Sequence, residues 1–502
     1  MNDFFHGVAV LGDPAVLVNV MIGVLVGMLV GAFPGVTATM AVALASGLTL
    51  TMEPIEGIAV LLAIYVAANF GDRVPAILIN TPGTPASIAS TFDGYPMAKQ
   101  GRAGIALTAS AIGSAVGGLA SIAVFALVAT PVANVALKFG PAELFALMVF
   151  GLTMMVGVSG GHIAKGLLAG AVGLLLAVVG RDPIGGEDRL MFGIDYLAAG
   201  IPVIPVLIGL FGVAEILDQI ATRPRQGAPR ITQFGRWWPN RGEFRRMRRP
   251  VVVGTGVGVG VGVLPAAGGD IAGLLAWEGA RRTSSRPEEF GKGSIEGITA
   301  SDTAANASLG GSLTTTMTLG IPGDAVMAVV IGSMVVWGLQ PGPGLLNSRP
   351  DLVGTMTAIM AVATLFALAI SLLRLRGMVK LLNLPAPYVW VTVLIFCIVG
   401  TYAIGNNVLD VVVMLIAGVF GFLMRRTSVP PGPVVLGLLL GPLAESNLRR
   451  ALLIQSPGQM LSRPIVILFL VLTALVLVSS LRGVGSRRKV TRKKTSDAVE
   501  RQ

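Results

Sequence analysis

Long apolar runs, separated by short polar or Pro- and Gly-rich breaks, are the dominant pattern along this chain of 502 residues. Many of them approach the length of about 20 residues that an α-helix needs to cross about 30 Å of hydrocarbon. The runs cover roughly residues 14–31, 55–71, 104–129, 142–159, 163–180, 198–220, 251–264, 325–339, 352–373, 387–404, 408–424, 433–444 and 464–481. The pattern predicts an all-α polytopic membrane protein with ten to twelve crossings and several half-crossings.

Composition agrees with this prediction and narrows the chemistry. Hydrophobic residues make up 53% of the chain and charged residues 13%, whereas soluble domains carry about 25% charged residues. The single cysteine, Cys397, excludes an intramolecular disulfide, and His6 and His162 are too few for a His-rich metal or haem site. We therefore expect no bound cofactor.

The net charge of +11 comes largely from two basic segments. Nine arginines lie between Arg223 and Arg249, and a second cluster of Lys and Arg follows Leu481. The positive-inside rule places both segments in the cytoplasm. Contact with anionic membrane lipid is the main interpretation, and a docking site for another protein is the alternative. Because the charges lie at predicted membrane edges, we expect no nucleic-acid partner.

Two Pro- and Gly-rich breaks interrupt the apolar pattern, at Asn80–Pro85 and at Ile321–Asp324, and two shorter ones surround Pro34 and Pro265. Non-helical backbone at membrane depth is tolerated only where it is buried in protein or lines a polar cavity. A helix that restarts after a break presents N–H groups that suit a carboxylate. A packing bend explains a single break, but four related breaks favour a site. The candidate substrate-binding residues are Pro34, Gly35, Thr37, Arg73, Asn80, Thr81, Pro82, Gly83, Thr84, Gly268, Gly269, Asn306, Pro322 and Gly323.

Landmarks of the first half recur in the second half in the same order and at separations that agree within about fifteen residues. The pairs are Pro34 with Pro265, Pro82 with Pro322, Glu215 with Glu445 and, less securely, Gly161 with Gly405. This pattern predicts membrane repeats at 1–222 and 251–482, a cytoplasmic Arg-rich linker at 223–250 and a basic, disordered cytoplasmic tail at 483–502. We expect the halves to be inverted, as in other carriers, with broken helices or re-entrant hairpins meeting near the midplane.

Three aspartates, Asp72, Asp270 and Asp324, fall at or beside these breaks. Ionisable groups inside a membrane are costly and are functional hypotheses by default. The three carboxylates could hold a cation, or one of them could carry a proton. Arg73 could bind a substrate carboxylate through two hydrogen bonds. The alternative is a structural ion pair of Arg73 with one of the three aspartates.

Two local patterns allow two interpretations each. Glycines alternate with other residues from Gly254 to Gly262, which favours a tightly packed membrane helix over a strand. The segment Asp93–Arg102 is predicted as a polar turn at the membrane edge, where Asp93 accepts backbone hydrogen bonds. A gate or a partner contact is the alternative for this turn.

Several long motifs carry a resemblance to a known family. NTPG at Asn80–Gly83 is followed by DGYPMAKQGRAGIAL at Asp93–Leu107. The second half contains RPEEFGKGSIEGITASDTAANAS at Arg286–Ser308, TMTLGIPG ending at Gly323, and GLQPGPGL ending at Leu345. Together these segments resemble the signatures of the large membrane subunit of tripartite tricarboxylate transporters. The likeness extends from about residue 15 to about residue 460.

The resemblance implies a secondary carrier of the bacterial inner membrane rather than an enzyme. It implies import of an organic di- or tricarboxylate, together with a small four-helix membrane subunit and a periplasmic solute-binding protein. It also implies that a Na⁺ or H⁺ gradient drives transport without ATP. Consistently, the sequence contains no G-x-x-x-x-G-K-[ST] phosphate loop.

The chain departs from the family pattern at its aspartates, which puts the usual substrate in doubt. It has Asn69–Arg73 where relatives tend to read YGGS, Pro265–Asp270 where they tend to read PGAGA, and Asp324 where they often have Ser. Two other functions remain open. An intramembrane aspartyl protease would use a G-x-G-D motif, which Ile321–Asp324 matches only in part. A membrane scaffold that no longer transports is the third interpretation.

Overall fold

The computed structural model describes residues 2–33, 35–158, 163–182, 185–222, 234–265, 268–381 and 386–478, and this part of the chain is mainly helical. The α-helices are α1 (Asn2–Val8), α2 (Pro14–Ala32), α3 (Ala38–Thr49), α4 (Pro54–Gly71), α5 (Arg73–Ile79), α6 (Ile88–Lys99), α7 (Ala103–Ala136), α8 (Pro141–Val158), α9 (Ile163–Val178), α10 (Val203–Leu207), α11 (Ala214–Ala221), α12 (Arg241–Gly262), α13 (Gly268–Thr283), α14 (Ile295–Leu319), α15 (Ala325–Val336), α16 (Pro343–Ser348), α17 (Asp351–Leu381), α18 (Ala386–Gly405), α19 (Val408–Arg426), α20 (Gly432–Ile454), α21 (Pro457–Leu461) and α22 (Pro464–Val478). A π-helical turn, Ile208–Val213, joins α10 to α11. Two short strands, β1 (Gly180–Arg181) and β2 (Asp188–Arg189), pair antiparallel.

Among the described residues, seven helical segments are long and apolar enough to cross a membrane, and five shorter apolar helices accompany them. The seven segments are Pro14–Ala32, Pro54–Ile79, Ala103–Ala136, Val203–Ala221, Asp351–Leu373, Pro387–Gly405 and Val408–Arg426. The prediction of an all-α polytopic membrane protein is confirmed. The number of crossings stays a prediction, because several apolar runs form helices shorter than the hydrocarbon thickness requires.

The chain forms two compact units. The first combines Met1–Leu137 with Ile204–Phe422, and the second combines Lys138–Val203 with Leu423–Gln502. The described core of the first unit surrounds α4 and α14. α14 packs against α7, α12 and α13, and α4 packs against α2, α3 and α17. α14 is buried from Ile295 to Thr318 although it is rich in Ser and Thr.

Small residues allow α12 to approach α14 closely. Gly254, Gly258 and Gly262 face α14, and a β-carbon added at Gly258 would lie 2.6 Å from that of Ala307. Gly256, in contrast, has nothing within 4 Å on its outward face. The prediction of a helix for this glycine-rich segment is confirmed, because glycines spaced by four residues form one packing face of a helix.

The same packing device occurs in α2, where Gly23, Gly27 and Gly31 lie against α4. Their counterparts in α12 are Gly254, Gly258 and Gly262, in the same order. Each pair of glycines is as far apart in the sequence as Pro34 and Pro265. Pro34 itself lies outside the described residues.

The two long breaks also have the same local geometry. Asn80, with φ 55°, ends α5 in the left-handed conformation, and Gly320, with φ 70°, ends α14 in the same way. A Pro-Gly pair follows in each case, and then a polar residue, Thr84 or Asp324, begins the next helical segment. Left-handed residues end helices, and hydroxyl or carboxylate side chains begin them. The internal duplication stays a prediction, and these matched elements support it.

In the second unit, α20 packs against α8 and α9. Asp182 accepts hydrogen bonds from Arg189 at 2.5 Å and from Arg449 at 3.0 Å, and Arg189 also donates to Glu445 at 2.9 Å. These contacts attach the hairpin of β1 and β2 to α20.

The prediction of a polar turn at Asp93–Arg102 is wrong for most of its length, because α6 continues to Lys99. The role predicted for the Asp93 carboxylate is confirmed. Its Oδ1 accepts the backbone N–H groups of Gly291 at 2.8 Å, Gly293 at 3.0 Å and Ser294 at 2.8 Å, and its Oδ2 accepts the indole N–H of Trp277 at 2.7 Å. Asp93 therefore fixes a loop that is distant in the sequence rather than a turn of its own.

Candidate functional site

A buried charged cluster lies at the centre of the first unit. It contains Asp72 and Arg73, at the junction of α4 and α5, and Asp302 in α14. The Nε atom of Arg73 is 3.2 Å from Oδ1 of Asp72 and 3.4 Å from Oδ1 of Asp302. The exposed fraction is 2% for the Arg73 side chain and 0% for both aspartates. From the sequence, Arg73 is predicted either to bind a substrate carboxylate or to form a structural ion pair with an aspartate. The structure shows an ion pair with Asp72, and Asp302 is a second partner.

Hydroxyl groups complete this cluster. Thr84 donates a hydrogen bond to Oδ2 of Asp72, and Ser90 donates one to Oδ1 of Asp302. Arg73 donates to the Ser90 hydroxyl through Nη1 at 3.2 Å. The break before α6 is thereby attached to α5 and α14. At Gly83, a β-carbon would lie 2.9 Å from that of Asp72, so glycine is required for this close approach.

Asp324 occupies the corresponding place at the second break. Its Oδ1 accepts the N–H of Met327 at 2.8 Å, which makes it the N-cap of α15. Its Oδ2 accepts a hydrogen bond from the hydroxyl of Tyr65 in α4. The N–H of Gly323 donates to the Thr316 hydroxyl at 3.2 Å. This break is also fixed by hydrogen bonds to neighbouring helices.

The N-terminal turn of α13 lies beside both breaks. A β-carbon at Gly268, where φ is 49°, would lie 3.0 Å from that of Asp324, and one at Gly269 would lie 3.4 Å from that of Ala86. Asp270 is exposed, and it interacts electrostatically with Asp324 and with Arg73. Segments from both predicted halves therefore meet here.

The other predicted site residues divide into buried and peripheral ones. Asn306 is buried, and its amide donates to the Ser114 hydroxyl at 2.9 Å. Pro322 is buried in the second break, whereas Asn80, Thr81 and Pro82 are exposed. The structure therefore exposes the first half of the Asn80–Pro85 break and buries Gly83 and Thr84.

Gly35 and Thr37 lie at the first short break. Gly35, with φ 84°, faces the side chain of Gln219, and the Thr37 hydroxyl accepts the N–H of Met40 at 3.2 Å to begin α3. No described contact joins either residue to the charged cluster.

Sequence reasoning missed Asp302 and Tyr65 as site residues. Asp302 had a signal, because it is the only charged residue between Glu296 and Asp324. A lone ionisable residue in such a stretch points to a partner inside the protein. Tyr65 had no comparable signal, whereas Ser90 belongs to the hydroxyl-rich stretch that follows the first long break.

A large cavity lies elsewhere in the first unit. It has a volume of about 790 Å³, is mainly apolar and is lined by α2, α3, α4 and α18. None of the predicted substrate or ion-coupling residues lines it. Its apolar lining does not suit a carboxylate, so the buried polar centre is the candidate site.

Comparison with known proteins identifies similar sequences. Residues 17–436 match the family model described as "Tripartite tricarboxylate transporter TctA family". A relative from Agrobacterium vitis, described as "Uncharacterized 52.8 kDa protein in TAR-I ttuC' 3'region", is 37% identical over 460 residues, which cover 91% of each chain. A second one, "Uncharacterized protein in TAR-II ttuC' 3'region", is 35% identical over 192 residues, which cover 38% of this chain and 79% of the relative. No solved structure matches this chain significantly.

Proposed function

Since this chain belongs to the tripartite tricarboxylate transporter TctA family, we propose that it imports organic di- or tricarboxylates with the help of a solute-binding protein and a cation gradient. The family match supports a large transporter subunit rather than an enzyme, and it favours a carrier over the aspartyl protease and the scaffold. The aspartates that distinguish this chain from the family pattern, including Asp270 and Asp324, are consistent with an altered choice of carboxylate.

The observation that carries the proposal is the meeting of two matched helix breaks at a buried polar centre. The breaks at Asn80–Pro85 and Ile321–Asp324 share their capping geometry, and α13 begins beside both. Discontinuous helices that meet in this way form the substrate sites of many carriers. The proposed carboxylate contacts are the N–H groups at the start of α13, where Gly269 approaches Ala86.

The proposed assembly contains a small four-helix membrane subunit and a periplasmic solute-binding protein in the bacterial inner membrane. The proposed coupling ion is Na⁺ or H⁺. We place the Arg-rich segment 223–250 and the tail 483–502 in the cytoplasm by the positive-inside rule. Residues 223–233 and the whole tail lie outside the described residues, and α12 begins within the segment at Arg241.

Contact of this segment with anionic lipid is supported by the start of α12. Arg241, Arg245 and Arg248 line one surface cavity together with apolar residues, including Phe244 and Val251. Such a combination suits a negatively charged headgroup and the first part of an acyl chain.

The test is uptake of labelled carboxylates by a bacterium that lacks its own carboxylate carriers. The chain is expressed with candidate binding-protein and small-subunit genes from the same genome, and citrate and a panel of dicarboxylates are supplied. We expect accumulation of at least one carboxylate, its loss when the binding-protein gene is omitted, and its collapse with a Na⁺ or H⁺ ionophore. Accumulation that persists without the binding protein, or that resists both ionophores, would contradict the proposal.

A further inference from the structure

The charges of the buried cluster do not balance. Among the described residues Arg73 is its only cation, and it faces the carboxylates of Asp72 and Asp302. All three side chains are at most 2% exposed. A buried charge is costly unless it is paired, so this centre lacks at least one positive charge.

The groups that the structure describes around the cluster do not supply the missing charge. Asp324, at the start of α15, adds a further negative charge beside Asp270. Tyr65, from α4, donates its hydroxyl hydrogen to Asp324. The remaining described hydrogen bonds to the carboxylates of the cluster come from the hydroxyl groups of Ser90, Thr84 and Ser301, which are neutral.

Three buried oxygen atoms accept no hydrogen bond from the described residues. They are Oδ1 of Asp72, which is in ion-pair contact with Arg73, and Oδ2 of Asp302 and Oδ1 of Asn306. Asp302 and Asn306 are four residues apart in α14, so they lie on the same face of that helix. Carboxylate and amide oxygens are the ligands that hard cations prefer, and a carboxylate oxygen is also where a proton binds.

There is also a small space next to the cluster. Arg73, Ser110, Ser114 and Ser371 line a cavity of about 10 Å³, which is close to the smallest volume that holds one water molecule. Asn306 is attached to this cavity through its hydrogen bond to Ser114. A water molecule therefore fits beside Arg73, and Ser114 connects this space to Asn306.

We propose that Asp302, together with Asp72 and Asn306, binds one monovalent cation, H⁺ or Na⁺, and that binding and release of this cation couple the gradient to transport. The coupling role rests on the proposed function. Asp302 is better suited to it than Asp324, because both oxygens of Asp324 already accept hydrogen bonds from Met327 and Tyr65. Asp270 differs because its side chain is exposed.

The test measures cation uptake by the purified full-length chain without any carboxylate. Binding of ²²Na⁺ and proton uptake between about pH 8 and about pH 5 are compared for the wild type, Asp302→Asn and a control, Glu278→Gln. Glu278 is a half-exposed acid of α13 that pairs only with Arg281 and Arg282 among the described residues. We expect Asp302→Asn to weaken Na⁺ binding at least tenfold or to abolish uptake of one proton, whereas the control behaves as the wild type.

A double variant tests whether the net negative charge of the cluster causes cation binding. Recovery of uptake in this variant would also exclude misfolding as the reason for a loss in Asp302→Asn. Arg73→Gln combined with Asp302→Asn leaves Asp72 as one uncompensated carboxylate, so cation uptake should return in part. Circular dichroism and gel filtration establish that each variant is folded, and Asp302→Glu, which keeps the charge, should retain uptake. Wild-type cation uptake in folded Asp302→Asn, or no uptake of either ion by the wild type, would overturn the inference.

The ²²Na⁺ and proton measurements show whether the bound cation is Na⁺ or H⁺. Loss of either one in Asp302→Asn supports the site. Because no carboxylate is present, the outcome is independent of the uptake experiment in cells. Active carboxylate import combined with unchanged cation uptake in Asp302→Asn would refute this inference and leave the proposed function standing.

Discussion

Thr84 and Asp324 perform equivalent roles at the two long breaks. Each begins a helical segment after a Pro-Gly pair, and each is hydrogen-bonded to the continuous segment of α4 and α5, Thr84 through Asp72 and Asp324 through Tyr65. Buried polar groups are stable only with such partners. The breaks are therefore fixed structures whose polar atoms are largely satisfied by the protein itself.

The contact of Tyr65 with Asp324 gives a prediction at this scale. Tyr65→Phe removes a buried donor and leaves one carboxylate oxygen of Asp324 without its partner. We expect the variant to lose about 1–3 kcal/mol of stability, measured by thermal unfolding in detergent. Tyr402→Phe is the control, because Tyr402 is 43% exposed. Equal stability of Tyr65→Phe and Tyr402→Phe would show that the hydrogen bond from Tyr65 to Asp324 does not stabilise the folded protein.

At the scale of elements, the helices of the first unit use two kinds of surface. α2 and α12 present glycine faces to α4 and α14, whereas α14 is buried on all sides with Ser, Thr, Asp and Asn along its length. Apolar runs predicted α2 and α12. They did not predict α14, because a helix surrounded by protein has no need of a lipid-compatible surface.

Two glycines of α12 form a matched pair for testing this packing. Gly258→Ala places a β-carbon 2.6 Å from that of Ala307, whereas Gly256→Ala places one where nothing lies within 4 Å. We expect the first variant to lose about 1–3 kcal/mol through overpacking and the second to gain up to about 1 kcal/mol from helix propensity. Thermal unfolding of both purified variants measures the difference. A similar loss in both would mean that α12 does not pack on α14 through this face.

At the scale of the whole molecule, helices of each predicted half pack against helices of the other half. α7, from the first half, packs against α14 of the second, and α17, from the second half, packs against α4 of the first. Such reciprocal packing is expected when two copies of one unit are related by a pseudo-two-fold axis. The matched glycine faces and the matched breaks agree with the predicted duplication, which stays a prediction.

The direction of the halves can be tested by labelling. Asp13 precedes α2 and Arg241 begins α12, so they occupy comparable places in the predicted repeat. We expect Asp13→Cys to react with a membrane-impermeant maleimide in intact cells, and Arg241→Cys to react only after permeabilisation, in a Cys397→Ala background. The reason is that inverted halves place equivalent ends on opposite sides of the membrane. Labelling of both from one side would indicate parallel halves.

The sequence by itself determined the membrane class, most apolar helices, the position of the breaks and the family, because these depend on local hydropathy, Pro and Gly content and long ordered motifs. It also singled out Asp72, Arg73 and Asp324 as unusual. It did not determine which charges meet. Ser90 and Asp302 are 212 residues apart in the sequence. Only the packing of α14 between the other helices places both side chains in contact with Arg73. Burial of that cluster, and the charge imbalance that follows from it, are properties of the tertiary structure, since no local pattern specifies the partners of a buried side chain.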